Sequence, residues 1–339
     1  MGSTFFSSYK VDDRSYIAFV KREIHNLVHN AGFSTLRLGE IDIIISELTS
    51  NLIKYGGSGE LLYRIASEKE AVFFEIFCID NGPGISNISK MMKDGNSSSN
   101  SLGQGLGAIN RLSDFFQIYS MGSWGTVLYS RVYQDPRKII TRLHDVDFGT
   151  AQICAPGEQV CGDGYYVKET VHGKQIFVGD GLGHGAKANE AVQEAITAFK
   201  SCTENEPVEI LRFMHQSVKK TRGLVATIAC IDNRNKEWKI CGIGNISTRL
   251  YSGMVCKNYT SYNGIVGHNI PRTLNSSVIP LEKHQTIIMH SDGIRTRWNI
   301  NELPSLLKYD PYVIATAIYK DNARGNDDMT VLVGKINIS

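Results

Sequence analysis

Apolar residues recur at helical spacing in two stretches near the start of the chain. The first predicts a helix that Asp12 or Asp13 caps and Gly32 ends. Its apolar positions are Ile17, Val20, Ile24, Leu27 and Val28. The second predicts a helix over 38–55 that stops at two glycines. Apolar runs over 60–66, 71–79, 116–121 and 125–132 then predict strands, of which the last two form a hairpin.

The pattern is interrupted after residue 135, where a proline and two basic residues follow the last of these strands. Further apolar runs predict strands over 165–171, 174–179, 224–232, 236–242, 247–251, 286–290 and 331–333. Helices are predicted over 186–200 and 207–221. We therefore expect a two-domain α/β (α+β) protein, with domains at 1–135 and 136–339 and no long linker between them.

Charge and composition exclude several classes of protein. The net charge of the 339 residues is +2, and the first 135 carry 12 basic and 14 acidic residues. Neither half has the basic excess typical of nucleic-acid binding. No apolar run approaches the roughly 18 residues that a membrane span needs. Seven scattered cysteines without a Cys-x-x-Cys motif favour a reducing cytoplasm over disulfides or zinc.

Four aspartates stand at the ends of predicted strands in the second half. Asp163 precedes one strand, Asp180 ends the next, Asp292 follows a third and Asp327 precedes the last. With the hairpin loop at 172–173, Asp163 lies diagonally opposite Asp180 on one sheet face, roughly 7–8 Å away. Carboxylates beside exposed glycine carbonyls suit a hard cation such as Mg²⁺ or Mn²⁺. The repetition favours a metal centre over four unrelated Asp-Gly or Asn-Asp turns.

The motifs around these aspartates form an ordered set. They are Gly162-Asp163, Gly179-Asp180-Gly181-x-Gly-His-Gly, Ser291-Asp292-Gly293 and Asp327-Asp328-Met329-Thr330. From about residue 140 onward the set resembles the metal-dependent PPM-type serine/threonine phosphatases, in the bacterial SpoIIE/RsbX-like branch. The resemblance implies an α-β-β-α sandwich that holds two Mn²⁺ or Mg²⁺ ions. Their ligands would be Asp163, Asp180, the Gly181 carbonyl, Asp292 and Asp327, with Asp163 and Asp180 the expected catalytic residues.

Several roles around this centre stay open. Asp328 is expected to face outward or to support Asp327. His184 is a general acid or a residue that stabilises its own loop. Eukaryotic relatives carry further acidic ligands and a phosphate-binding arginine near the start of the domain, whereas 152–159 offers only one acidic residue. Arg222 is a weaker candidate for binding phosphate.

Three motifs follow one another in the first half. Glu47, Asn51 and Lys54 are spaced to share one stripe of the second helix. The sequence Asp80-Asn81-Gly82-Pro83-Gly84 ends a predicted strand. A serine-rich stretch from residue 93 runs into Gly103-Gln104-Gly105-Leu106-Gly107, ahead of a helix. Glycines ahead of a helix expose backbone N–H groups that suit a phosphate.

In this order the motifs resemble the N, G1 and G2 boxes of the GHKL ATPases, particularly the anti-sigma and stressosome serine kinases of the RsbT type. The resemblance covers about 10–132 and implies a Bergerat α/β sandwich that binds ATP and Mg²⁺. Asn51 would hold Mg²⁺, Asp80 would accept the adenine amino group, and Thr126 would support that edge. Glu47 would be the general base toward a serine hydroxyl. The other expected nucleotide-binding residues are Lys54, Gly82, Gly84, Gly103, Gly105 and Gly107, and the serine-rich stretch would be the lid.

The two resemblances lead to two hypotheses. In the first, the chain is a bifunctional regulator of a bacterial partner-switching module. Its first half phosphorylates a STAS-domain antagonist, and its second half dephosphorylates phosphoserine or phosphothreonine. In the second, the first half binds nucleotide without kinase activity and controls the phosphatase or sequesters a partner. Relatives of the first half often form homodimers, and neither hypothesis involves nucleic acid or a membrane.

Overall fold

The computed structural model describes residues 5–11, 16–91, 102–139 and 145–337. The chain divides into two compact units, Met1–Arg142 and Leu143–Ser339. The predicted caps Asp12 and Asp13, and the serine-rich stretch up to residue 101, lie outside the described residues. In the part of the chain that the structure describes, the helices are too short or too polar to cross a membrane.

The first unit is a sheet that carries helices on one face. Its strands are β1 (Ser7–Val11), β2 (Gly59–Glu68), β3 (Ala71–Asp80), β4 (Phe115–Met121) and β5 (Gly125–Tyr133). They pair antiparallel in the order β1-β2-β3-β5-β4. Its helices are α1 (Ile17–Asn30), α2 (Thr35–Asn51), α3 (Ile88–Met91) and α4 (Leu102–Leu112). Helices and sheet share one apolar core, which includes Ile24, Ile44, Leu61, Phe74, Ile109 and Leu128.

The second helix differs from its prediction at both ends. It starts earlier because the Ser34 hydroxyl accepts a hydrogen bond from the Arg37 backbone N–H, at 3.3 Å, and so caps it. At Asn51 the α-helix gives way to a π-helical turn of five residues. The π-turn is wider than an α-turn, so Lys54 does not follow Glu47 and Asn51 at α-helical spacing. The predicted polar stripe therefore holds only for the first two of these residues.

The second unit has four layers. Its strands are β6 (Val146–Ile153), β7 (Asp163–Thr170), β8 (Gly173–Gly181), β9 (Leu224–Asp232), β10 (Glu237–Ile243), β11 (Ser247–Ser252), β12 (Val255–Tyr259), β13 (Ser277–Pro280), β14 (Thr286–His290) and β15 (Met329–Ile336). They form two sheets, in the orders β13-β10-β9-β8-β7 and β12-β11-β14-β15-β6. Its helices are α5 (Ala186–Ser201), α6 (Pro207–Ser217) and α7 (Pro311–Asn322).

The cores of the second unit show how these layers are stacked. Side chains of both sheets meet between them, among them Val178, Trp238, Ile287 and Leu332. Helices α5 and α6 cover the outer face of the first sheet through a second apolar core. Helix α7 packs on β6 and β15 of the other sheet. The resulting α-β-β-α sandwich has the layers that the resemblance implied.

The β7–β8 hairpin corrects the predicted register. Thr170 pairs with Gly173, so the loop is 171–172 and not 172–173. Gly173 belongs to the strand because β9 runs close beside it. A Cβ at this position would lie 2.3 Å from the Ile231 carbonyl oxygen, and the backbone has a φ of +147°. The shift is two residues, so every side chain keeps its predicted face.

Candidate active sites

Asp163 and Asp180 lie directly opposite each other across β7 and β8. This is closer than the predicted diagonal, since opposed residues of an antiparallel pair have Cα atoms about 4.5–5.5 Å apart. Asp163 is only 2% exposed, whereas Asp180 is half-buried. Gly181 ends β8 immediately after Asp180, at the same end of the sheet. The hairpin therefore presents two carboxylates and a backbone carbonyl together.

Asp292 and Asp327 reach this end from the other sheet. Asp292 follows β14 and Asp327 precedes β15, and these two strands are paired antiparallel. The Asn245 side-chain amide donates a hydrogen bond to Asp292 Oδ2 at 2.9 Å. The Ser291 hydroxyl donates one to Asp163 Oδ2 at 2.6 Å, which joins the strand ends of the two sheets. The four predicted aspartates are thus brought together.

Burial and the charges of neighbouring carboxylates raise the pKa values of Asp163 and Asp180. Burial raises the pKa of Asp180 to about 9, with further contributions from the charges of Asp163, Asp292 and Asp327. Burial likewise raises the pKa of Asp163 to about 8, and the Ser291 hydrogen bond opposes the increase. The charge of Asp328 adds to the increase at both positions. The cluster therefore resists ionisation as long as nothing positive neutralises it.

The donor set at this end is suited to divalent cations. Asp163 Oδ1 is buried and, within the described residues, accepts no hydrogen bond. In the same part of the chain, no lysine or arginine forms an ion pair with any of the four aspartates. A buried carboxylate without a positive neighbour is unfavourable. A set of ligands made only of oxygen atoms matches Mg²⁺ or Mn²⁺ better than softer metals.

Asp328 points inward, which corrects the prediction that it faces outward, whereas its backbone N–H donates to Asp327 Oδ1 at 2.9 Å, in agreement with the alternative that it supports Asp327. Its side chain is buried, with the residue 3% exposed. Oδ1 accepts a hydrogen bond from the Ala155 N–H and Oδ2 accepts one from the Gly162 N–H, both at 2.9 Å. These bonds tie both ends of the segment that leads into β7 to the start of β15. Because Gly162 directly precedes Asp163, Asp328 therefore helps to fix the position of Asp163.

His184 lies on the loop between β8 and α5. Its Nδ1 is 2.6 Å from Glu158 Oε1, and its side chain is 67% exposed. The contact joins this loop to the segment that precedes β7, so the two loops beside the carboxylates hold each other. This geometry agrees with a loop-stabilising role for His184.

A cavity of about 320 Å³ opens between the helices and the sheet of the first unit. Asn51 at the end of α2, Asp80 at the end of β3 and Thr126 on β5 contribute its polar lining. Asp80 and Thr126 pair directly across the two strands. The apolar walls include Leu48, Leu52, Ile85, Leu106, Ile118 and Leu128. Small-molecule sites have volumes of roughly 300–1,000 Å³, with apolar walls and few polar groups, so the cavity has the size and lining of a small-molecule site.

Hydrogen bonds fix the polar side of this cavity. Asp80 Oδ1 accepts the Gly82 N–H at 2.8 Å, in the loop that leads to Gly84. Thr126 Oγ1 lies 3.0 Å from Ser120 Oγ, which also accepts the Ile85 N–H at 2.8 Å. The polar groups therefore have defined orientations before any ligand binds.

Gly103, Gly105 and Gly107 lie inside α4, which corrects the prediction that they precede the helix. Close packing against α2 explains why a helix here contains glycine. A Cβ on Gly105 would lie 2.5 Å from Glu47 Oε2 and 3.9 Å from Asn51 Nδ2. The N–H groups of the first turn of α4 still have no partner within the helix, so they remain suited to an anion.

Other residues differ from their expected places or were missed. Lys54 is exposed and is not among the described residues that line the cavity. Ser120, Ser291 and Asn245 were not identified from the sequence. Ser291 adjoins Asp292 in the Ser-Asp-Gly motif, which was an available signal. For Asn245 no local signal exists, because a distant strand brings it to Asp292.

Comparison with known proteins relates both parts of the chain to regulators. A family model of Stage II sporulation protein E (SpoIIE) matches residues 171–337. The phosphoserine phosphatase RsbX of Bacillus subtilis (strain 168) is 28% identical over 193 residues, which cover 55% of this chain and 92% of RsbX. The serine/threonine-protein kinase RsbT of the same organism is 37% identical over 101 residues, covering 30% of this chain and 76% of RsbT.

The chain is also similar to a solved structure that was described in work on the bacterial stressosome. That work describes the stressosome as a modular system that has been adapted to control secondary messenger signaling. The structure aligns at 28% identity with a TM-score of 0.53, over 56% of this chain and 100% of that one. The SpoIIE match lies within the second unit and includes Asp180, Asp292 and Asp327. The second unit is therefore similar to the SpoIIE family and carries a PP2C-type serine/threonine phosphatase domain, and over 101 residues the chain is a relative of the kinase RsbT.

Proposed function

We propose that the protein is a bifunctional regulator of a bacterial partner-switching system. Residues 136–339 hydrolyse phosphoserine or phosphothreonine in a STAS-domain protein, with two Mn²⁺ or Mg²⁺ ions. Residues 1–135 bind ATP and Mg²⁺ in a GHKL-type fold and phosphorylate a STAS-domain antagonist. The observation that carries the proposal is the cluster of four aspartates at one end of the two sheets, with which no lysine or arginine of the described residues forms an ion pair.

The residues of the second unit have distinct roles in this proposal. PP2C phosphatases use Mg²⁺ or Mn²⁺, and such ions activate a water molecule and stabilise the charge that develops during phosphoryl transfer. Asp163, Asp180 and the Gly181 carbonyl offer ligands from one sheet, and Asp292 and Asp327 from the other. Ser291 orients Asp163 through its donated hydrogen bond. A hydrogen bond from a neighbouring residue to a metal ligand commonly determines how well that ligand is oriented.

The cavity of the first unit supports the assignment of a nucleotide. Asp80 accepts the adenine amino group, and the adjacent Thr126 supports the same edge of the base. Asn51 supplies an amide oxygen for Mg²⁺. Glu47 stands beside the first turns of α4, where phosphate would lie, and it takes the proton of the acceptor serine. The similarity to the kinase RsbT supports this role.

The partner is a STAS-domain protein, and the compartment is the cytoplasm. RsbX and RsbT are by name a phosphoserine phosphatase and a serine/threonine-protein kinase, so this chain would combine opposed activities. All seven cysteines are free thiols, which supports a reducing compartment.

The phosphatase is tested with a phosphoserine peptide and the full-length protein. We expect hydrolysis that requires Mn²⁺, stops with EDTA and is lost in Asp180→Asn. Asp145→Asn is the matched control because Asp145 is exposed at the start of the second unit. Activity that survives both EDTA and Asp180→Asn would contradict the metal-dependent mechanism.

The kinase is tested by transfer of labelled phosphate from ATP to STAS-domain proteins encoded beside this gene. We expect Glu47→Ala to abolish transfer while ATP still binds. Glu70→Ala is the control, because that side chain is 90% exposed on the β2–β3 turn. Binding of ATP without transfer to any of these proteins would leave the first unit as a nucleotide-dependent binding module.

A further inference from the structure

Arg222 lies at the same end of its sheet as the aspartate cluster. It stands two residues before β9, whose first residue, Leu224, pairs with Gly181. The Leu182 N–H donates to the Gly223 carbonyl oxygen at 3.1 Å. The segment with Arg222 therefore runs directly beside the loop that follows Asp180.

The side chain of Arg222 rests against that loop. An ideal Cβ on Gly183 would be only 3.1 Å from Arg222 Nη1, so the guanidinium occupies the space beside this glycine. The backbone of the segment is fixed, because the Gly223 N–H donates to Thr221 Oγ1 at 3.0 Å. Arg222 is thus placed on the rim of the cluster by its own strand and by the loop.

The guanidinium of Arg222 is open to solvent. The residue is exposed and, in the part of the chain that the structure describes, its guanidinium has neither an ion pair nor a hydrogen bond. By contrast, Arg64 and Arg131 are both bound to Glu75. A guanidinium beside four carboxylates that pairs with none of them is available to an anion from solution.

We propose that Arg222 binds the phosphate group of the substrate, and the phosphate that is released, beside the aspartate cluster. The inference rests on the proposed phosphatase function and names a residue for substrate recognition within it. Guanidinium donors bind phosphate oxygens in a two-point geometry, which a surface lysine does not reproduce. The position on the rim also favours a phosphomonoester dianion over a phosphodiester, which carries one charge fewer.

The test compares Arg222→Ala and Arg222→Lys with Arg234→Ala. Arg234 is the matched control, because it is an exposed arginine in the turn at the opposite end of β9. Two quantities are measured with Mn²⁺ present: KM and kcat for a phosphoserine peptide, and the affinity for inorganic phosphate by calorimetry. Mn²⁺ affinity and the thermal midpoint are measured for every variant.

We expect Arg222→Ala to raise KM and to weaken phosphate binding by at least about tenfold, the value of one lost charge-assisted hydrogen bond. The change in kcat is smaller, Arg222→Lys is intermediate, and Mn²⁺ affinity is unchanged. Arg234→Ala behaves like the wild type.

Unchanged KM and phosphate affinity in Arg222→Ala would overturn the inference. So would a parallel loss of Mn²⁺ affinity, which indicates a structural role. Arg324→Ala is a further comparison, because the Arg324 N–H is bound to the Gly293 carbonyl oxygen next to Asp292. Loss of phosphate binding in that variant alone would assign the role to Arg324. An inactive wild type with Mn²⁺ would contradict the proposed function instead, and calorimetry would still decide whether Arg222 binds phosphate.

Discussion

Both units bury carboxylates in their sheets, and among the described residues the first unit supplies the opposite charge whereas the second does not. In the first, Glu75 on β3 is fully buried, with Arg64 Nη2 2.6 Å from Oε1 and Arg131 Nη2 2.9 Å from Oε2. Burial alone would raise the pKa of Glu75, but these arginines and the Tyr129 hydroxyl lower it to about 2. In the second, no arginine or lysine among the described residues pairs with the cluster around Asp163 and Asp180, and the pKa values of both carboxyls rise.

The difference separates a structural carboxylate from a candidate ligand. A buried charge is tolerated when the chain itself provides its partners, and Glu75 has two arginines and a hydroxyl. Where the described residues provide none, the carboxyl either stays protonated or is neutralised by a cation from solution. The surroundings of the cluster in the second unit therefore favour a cation site.

The largest expected contrast comes from the same chemical change in both units. Glu75→Gln leaves two buried guanidinium groups without their counter-charge, so the free energy of unfolding falls by about 3–5 kcal/mol. Asp180→Asn replaces a carboxyl that is largely protonated at neutral pH in the metal-free protein, because its pKa is raised to about 9, so stability does not fall. Chemical denaturation in EDTA measures both, and equal losses in the two variants would remove the distinction between the units.

The next effect is on the pH dependence of the metal-free protein. A carboxyl whose pKa is raised by folding stabilises the protein below its unfolded pKa, and this contribution is lost as pH rises through the folded pKa. With an unfolded pKa of about 4 and folded pKa values of about 8 for Asp163 and about 9 for Asp180, the free energy of unfolding falls from about pH 4 up to about pH 9.

Denaturation in EDTA across this window measures the slope, which we expect to be shallower in Asp180→Asn. Addition of Mn²⁺ reverses the slope of the wild type, because ionised carboxylates bind the ion. Equal slopes in the wild type and in Asp180→Asn would show that the pair does not titrate in this range.

The sequence predicted elements whose apolar pattern is evident locally and missed those without such a pattern. Strand β9 has the predicted bounds, 224–232, because its apolar pattern is continuous and its ends carry turn residues. Helix α7 was not predicted, because every residue from Val313 to Tyr319 is buried and no polar face gives the helical period. The signal that remained was Asp310, which caps the helix ahead of Pro311.

For the sites, residue types were predictable and their partners were not. The aspartates stand in recognisable motifs, whereas the inward position of Asp328 depends on backbone groups more than 160 positions earlier in the chain. The register of β7 and β8 likewise depends on β9, which local turn chemistry does not contain. The contacts between distant segments of the chain therefore became known only from the structure.

Asp328→Asn tests a carboxylate that the chain does satisfy within the second unit. An amide retains one acceptor oxygen and turns its NH₂ toward a backbone N–H, so one hydrogen bond is lost. We expect a loss of about 1–3 kcal/mol in the free energy of unfolding. Because Gly162 precedes Asp163, Mn²⁺ affinity also falls, by about 10- to 100-fold as for other residues that orient a metal ligand. Asp145→Asn is the control, and unchanged Mn²⁺ affinity in Asp328→Asn would contradict the positioning role.

The smallest effect is expected for the exposed pair of His184 and Glu158. The side chains are 67% and 28% exposed, and exposed pairs of this kind contribute less than about 1 kcal/mol. His184→Ala should therefore keep most of its stability and lower kcat less than tenfold. A general acid would behave differently, because its removal costs about 10²–10⁴ in rate and changes the alkaline limb of the pH–rate profile. The profile of His184→Ala, compared with Glu158→Gln, distinguishes the two. If both variants retain the shape of the wild-type profile, the contact holds two loops together and the protonation state of His184 does not govern the reaction.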